Sequence, residues 1–235
     1  MPKRYWWVII TYVLVQFSGV IFIPLLYALL PINQIDAFVY WSLISFIAGV
    51  IIVLQLMKPD MKQGVNQRDA ASTGNVILWS ILGVFMAYFA QGVAGSIEVK
   101  LLGIGQDSEN TQAIMDVTRM SPLFMIIPMF AAPILEEIIF RKIIFGRLYL
   151  RTNFFIAALL SALIFAVIHG EPEHILVYGS MGLVFAYLYV KTKRIIVPII
   201  VHMAMNSLVV LIQYNIDPEE LERQLEELQT IFMLH

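Results

Sequence analysis

Glu136 and Glu137 stand side by side at the end of the apolar run SPLFMIIPMFAAPILEEIIF, and Arg141 follows one helical turn later. Carboxylates at bilayer depth are costly, so each must be paired, hydrated or used. At i,i+4 with the acid first, Glu137 and Arg141 can pair along one helix face. Glu136 is rotated about 100° from that face and is left unclaimed. An unclaimed carboxylate in a dry setting can act as a general base. The competing reading is a patch of charge snorkelling at the membrane face. Arg141 and Lys142 have the reach for that; two short glutamates do not.

Two further apolar segments carry a histidine each. Phe165 and His169, in FAVIHG, share a helix face, although His169 beside Gly170 and Pro172 also reads as a helix-end cap. His202 and Asn206, in HMAMN, are again i,i+4 and also read as a hydrogen-bonding pair that joins helices. Taken together, Glu136, His169, His202 and Asn206 lie on three different hydrophobic segments. A carboxylate and an imidazole can deprotonate a water, while a second imidazole and a carboxamide can donate to an oxyanion. That is an inventory for hydrolysis.

The elements that must position these groups are set by composition. Of 235 residues, 60% are hydrophobic and 14% charged, against about 25% charged in soluble domains. Mean hydropathy is +0.80. The chain therefore reads as an all-α, polytopic integral membrane bundle forming a single membrane domain over residues 1–235, with the lipid bilayer as its surroundings. With no cysteine there is no disulfide, thiolate chemistry or Cys-ligated zinc. Net charge is −2 and no basic tract is present, which argues against a nucleic-acid partner.

About 20 apolar residues cross a bilayer. Seven segments qualify or nearly so: Trp6–Leu30, Ala37–Met57, Val76–Gly95, Ser121–Phe140, Phe154–His169, His174–Val190 and Ile195–Tyr214. The chemistry-bearing motifs fall within 121–214. The first segment lacks a small-residue cleavage site and reads as an uncleaved helix. Lys3 and Arg4, then Lys58, Lys62 and Arg68, then Arg141, Lys142, Arg147 and Arg151, then Lys191, Lys193 and Arg194 fall on one side of the membrane. Asp36, Glu98, Asp107, Glu109, Glu171 and Glu173 fall on the other. This predicts a cytoplasmic N-terminus and an external C-terminus in a cell membrane.

The depths of the three motifs coincide only if the fourth helix continues past the membrane plane through Leu150 and His169 returns to mid-depth. GEPE, between His169 and His174, would then line a cavity and avoid lipid. After the last span, Asp217, Pro218 and Glu220 form a helix start. Leu221, Leu225, Leu228 and Phe232 follow on one face. Residues 217–232 are expected to form an acidic amphipathic helix that packs on the protein or membrane surface, or binds a partner.

EExxxR at Glu136–Arg141, FxxxH at Phe165–His169 and HxxxN at His202–Asn206, in this order on hydrophobic helices, resemble the CAAX protease and bacteriocin-processing (CPBP, or Abi) family of intramembrane proteases, which includes the type II CAAX prenyl endopeptidases. The resemblance covers the fourth to seventh segments. It implies an endopeptidase acting on peptide or membrane-protein substrates. In that scheme Glu136 and His169 activate water, His202 and Asn206 hold the oxyanion, and Glu137, Arg141 and Phe165 shape the site. The family is commonly described as metalloproteases; if Zn2+ is held, Glu136, His169 and His202 are the candidate ligands. HGEPEH has four residues between its histidines, and Pro172 would break the helix an inverted zincin motif needs, so His174 is a poor candidate. Two other readings stand beside the protease. One is a proton-coupled transporter using the same groups as a relay; the other is a non-catalytic scaffold or bacteriocin-immunity protein.

Overall fold

The computed structural model describes residues 1–65, 69–105 and 108–216, so the amphipathic helix expected over 217–232 lies outside the described residues. Among the described residues every regular element is helical. All seven apolar segments fold as helices, and the protein is an all-α polytopic membrane bundle. Among the described residues five helices are long and apolar enough to cross a membrane, six if the bent first pair counts as one span.

That first pair is α1 (Lys3–Phe17) and α2 (Gly19–Leu29), which meet at 46°. A Ser18–Gly19 step is a weak point in a helix. The bend is held from outside: Trp41 Nε1 donates to Ser18 Oγ at 3.0 Å, and Phe22 stacks on Trp41. Helix α3 (Gln34–Val65) receives both α1 and α2. Helix α4 (Thr73–Leu102) starts at an N-cap, Ser72 Oγ accepting from the Asn75 N–H, and ends at Gly103 with φ +67°. Helix α5 (Glu109–Met120) was not anticipated; its polar dozen residues are capped by Ser108, whose Oγ accepts from the Thr111 N–H.

Helix α6 (Pro122–Tyr149) carries both glutamates and ends one residue before Leu150. It is the central helix: 56% of its apolar window is buried, against 22% for α3 and α4. Helix α7 (Phe154–Ile168) is capped by Asn153 and has only 15 residues, shorter than a full span. Helices α8 (Ile175–Thr192) and α9 (Ile196–Asn215) complete the bundle. Helix α4 packs on α8 and α9, and α7 on α8.

Two of the charges that the sequence placed in loops are buried within helices. Glu98 lies inside α4 and is 1% exposed; Arg141 lies inside α6 and is fully buried. Neither can count as a loop charge in the orientation argument.

The α7–α8 contact is close because Gly182 faces Ala162. A Cβ at Gly182 would sit 2.8 Å from Ala162 Cβ and 3.0 Å from its Cα, with backbone behind it that cannot swing aside. Gly182→Ala is therefore expected to destabilise the protein by about 1–3 kcal/mol, read as a lowered Tm of the purified protein in detergent.

Candidate active site

Helix α6 is irregular where the chemistry is. Ile127–Ala131 and Ile138–Phe145 are π-helical, with a short α-helical piece, Ala132–Glu137, between them. Wide turns of this kind recur at functional sites. In the first of them the Ala132 N–H donates to the Ile127 carbonyl, an i,i+5 bond. The next bond in that register would run from residue 133 to the Pro128 carbonyl, and Pro133 has no N–H. Asn206 of α9 takes the orphan instead: its Nδ2 donates to Pro128 O at 2.9 Å. One carboxamide proton is thus committed, and Asn206 is fixed in direction. Asn206→Ala should leave a carbonyl unmatched and cost about 1–3 kcal/mol. Adding Pro133→Ala, which restores an N–H, should return much of that loss in thermal unfolding.

The two glutamates divide as their spacing suggests. Glu137 is wholly buried; its Oε2 lies 3.1 Å from Arg141 Nε, and its Oε1 accepts from His202 Nδ1 at 3.0 Å. A carboxylate oxygen at that distance puts the His202 proton on Nδ1. His202 Nε2 therefore faces the other way, and lies 3.8 Å from Glu136 Oε2. That gap exceeds a direct hydrogen bond. The Glu136 side chain is 13% exposed and lines a cavity of about 1340 Å3.

Arg141 has no aligned hydrogen bond to its guanidinium nitrogens. Aromatic faces replace them: the guanidinium carbon lies 4.5 Å from the Phe165 ring centre, 5.2 Å from Phe185 and 5.9 Å from Phe140. Cation–π attraction is strongest when both partners are dry, as here. Phe185 also stacks on His202 at 5.1 Å. Phe165 touches Arg141, Phe140, His169 and His202, so it is the hub through which α7 meets α6 and α9.

His169 is the C-cap of α7, followed by Gly170 at φ +77°. Its Nδ1 donates to the Phe165 carbonyl at 2.7 Å, which leaves Nε2 as the acceptor nitrogen. Glu136, His169, His202 and Asn206 all line the one cavity, together with Phe165 and Tyr178. Glu137 and Arg141 stand behind its wall. The cavity continues past Tyr12 and Gln16 of α1 and past Ser108, Asn110 and Thr111 at the start of α5.

A second buried acid–histidine pair lies beyond it. Glu98 Oε2 accepts from His174 Nδ1 at 3.0 Å, and Glu98 Oε1 accepts from the Leu176 and Val177 N–H groups at the start of α8. His174 is tied to this helix-capping carboxylate. Glu171 is likewise saturated by Tyr178 Oη, Ser108 Oγ and the Asn110 N–H. Burial alone would raise its pKa; the hydrogen bond from Tyr178 and those from Asn110 and Ser108 outweigh it and hold the carboxyl below the ordinary range. These bonds persist above the ordinary carboxylate pKa and weaken only as pH falls through the lowered value.

The zinc set Glu136, His169 and His202 does not converge: among the described residues no three His, Cys, Asp or Glu side chains are placed to hold a metal ion. His202 and His169 each have Nδ1 tied to a protein acceptor, which leaves Nε2 as the free nitrogen of both. As they stand, the three side chains are not grouped as a metal site.

Residues 118–208 match the model for type II CAAX prenyl endopeptidases of the Rce1-like kind. The chain is 47% identical to YdiL of Bacillus subtilis (strain 168), a candidate membrane peptidase by its name, over 98% of both chains. It is 33% identical to the membrane-embedded CAAX protease MroQ of Staphylococcus aureus (strain USA300), over 95% of this chain and 94% of that one. The chain belongs to the Rce1-like type II CAAX endopeptidase family. It is accordingly a multi-pass protein of a membrane peptidase family. The matched Rce1-like region begins at the end of α5 and stops within α9, so it spans every candidate residue named above. No solved structure matches the chain.

Sequence reasoning missed Phe185, Phe140 and Tyr178, because an aromatic ring in an apolar helix carries no mark of what it touches. Glu98 was missed as a partner of His174 because 76 residues separate them.

Proposed function

We propose that this protein is an intramembrane endopeptidase that hydrolyses peptide bonds of membrane-associated substrates in the α6–α7–α9 cavity. Glu136 and His169 Nε2 draw the proton from water, and the hydroxide attacks the scissile carbonyl. The second amide proton of Asn206 faces the developing oxyanion, and His202, its Nδ1–H kept on Glu137, donates to it from Nε2 once that nitrogen also holds a proton. The proton then passes to the leaving amine. Arg141 stays in its aromatic cage and fixes Glu137, which fixes His202. The observation that carries this reading is the split of the glutamate pair. Glu137 is consumed by Arg141 and His202, while Glu136 is left on the cavity wall.

The test is cleavage in liposomes of a panel that includes peptides ending in a prenylated CAAX sequence, with products identified by mass. New termini that appear with the wild type and fade with His202→Gln and His169→Gln support the proposal. A panel cut equally by all three would overturn the assignment of roles. Because the acid–base pair needs no metal, cleavage is expected to survive exhaustive chelation. Loss on chelation with recovery on added Zn2+ would instead make Glu136, His169 and His202 ligands.

A further inference from the structure

The proposed mechanism asks His169 to present Nε2 at a fixed angle, yet His169 sits at the C-terminal end of a 15-residue helix, next to a glycine in left-handed conformation. Helix ends are where side chains are least constrained. One nitrogen is tied to the Phe165 carbonyl, which leaves rotation about that bond open.

Two rings close off that rotation. Phe165 lies against the imidazole at 4.5 Å and Tyr178 stacks on it at 4.3 Å, 27° from parallel. Tyr178 is itself fixed: its hydroxyl donates to Glu171 Oε2 at 2.5 Å. Glu171, 4% exposed, is held by Ser108 Oγ at 2.9 Å and by the Asn110 N–H at 3.0 Å. The sequence 108–110 forms the capped start of α5, and Ser108 and Asn110 line the same cavity.

We propose that Tyr178 and Glu171 are positioning residues for His169, and that through Glu171 the start of α5 is linked to the orientation of the imidazole. Neither residue touches the reacting atoms. Tyr178 supplies a flat wall, and Glu171 sets where that wall stands. The carboxylate takes donors from α8 and from the start of α5 at once, so a shift of α5 against the bundle moves Tyr178 and with it the ring stacked on it. This inference rests on the role given to His169 above only for its kinetic part; the stacking is independent of it.

The experiment has two arms on the full-length protein. In the first, histidine-labelled protein is compared as wild type, Tyr178→Phe, Tyr178→Leu and Glu171→Ala by NMR, with His169→Gln used to identify the His169 signal. A stacked ring shields the imidazole protons. The His169 signal should move downfield in Tyr178→Leu, and should broaden or shift to a smaller and matching extent in Tyr178→Phe and Glu171→Ala, which both keep the ring and cut its bond to Glu171. An unchanged signal in both Tyr178→Leu and Glu171→Ala overturns the proposal, whatever the activity.

In the second arm, kcat should fall about 10- to 100-fold in Tyr178→Leu, as small misplacements of a catalytic group do, with KM within about twofold. Tyr178→Phe, which keeps the ring and loses only the bond to Glu171, should lose less than Tyr178→Leu and about as much as Glu171→Ala. Tyr178→Leu added to His169→Gln should cost nothing further. Additive losses overturn the proposal. If His169→Gln alone leaves kcat unchanged while the NMR shift occurs, the positioning stands and the assignment of His169 as a base fails. The Tm of each variant separates these results from misfolding.

Discussion

Glu136→Gln is expected to lower kcat by about 10²- to 10⁴-fold, the range over which a positioned general base acts, while Tm stays close to wild type. The side chain lies on the cavity wall and forms no pair with Arg141; its nearest charged neighbour, His202 Nε2, is 3.8 Å away. Glutamine has the same shape and leaves the Arg141–Glu137–His202 chain intact. The variant thus removes basicity and little else. Cleavage of a reconstituted substrate at matched protein levels decides it. Retention of wild-type kcat would remove Glu136 from the chemistry and favour a scaffold. A transporter would instead show substrate or proton flux that depends on Glu136 with no new peptide termini.

Arg141→Met is expected to be the most damaging substitution to the fold, at about 3–5 kcal/mol. Methionine fills the space among Phe140, Phe165 and Phe185, so cavity formation contributes little. The cost arises because Glu137, fully buried, loses its counter-charge. The loss should be smaller in the double variant with Glu137→Gln, which keeps an acceptor for His202 Nδ1 but carries no charge. Arg141→Lys should also destabilise, since an ammonium is more strongly hydrated than a guanidinium and stacks poorly on aromatic faces. Tm in detergent reads all three. A wild-type Tm in Arg141→Met would mean that Glu137 is held in place by His202 alone.

The seven apolar segments were legible because span length is a property of composition, and the Glu137–Arg141 pair because spacing along a helix is arithmetic. The irregular backbone of α6 was not legible. Pro128 and Pro133 are visible in the sequence, but only the i,i+5 register reveals that their five-residue separation strands a carbonyl for Asn206. Asn206 read as a catalytic donor or a helix-joining group, and in the structure it makes a helix-joining bond with one amide proton while lining the cavity with its side chain. Helix α5 was hidden because its polar sequence has the look of a loop between spans. Glu98 and Glu171 were counted among external loop acids because each lies a few residues past an apolar run. Their burial follows from partners far along the chain, which no local window contains. The break at Ser18 was masked by apolar residues on both sides, although Gly19 and Pro24 were there to weaken a straight helix.

Helix α7 has one more consequence, which concerns the supply of a reagent. Its 15 residues rise about 22 Å, roughly 8 Å less than the hydrocarbon thickness of an ordinary bilayer. Lipid around so short a helix thins or draws its headgroups inward. Each turnover of a hydrolase consumes one water molecule, which bulk solution provides freely and a bilayer interior does not. By ending early beside His169, α7 shortens the dry distance that this water must cross. Under the proposed hydrolysis, acyl-chain length is then expected to act as a kinetic variable, with turnover in liposomes falling as the lipid chains lengthen.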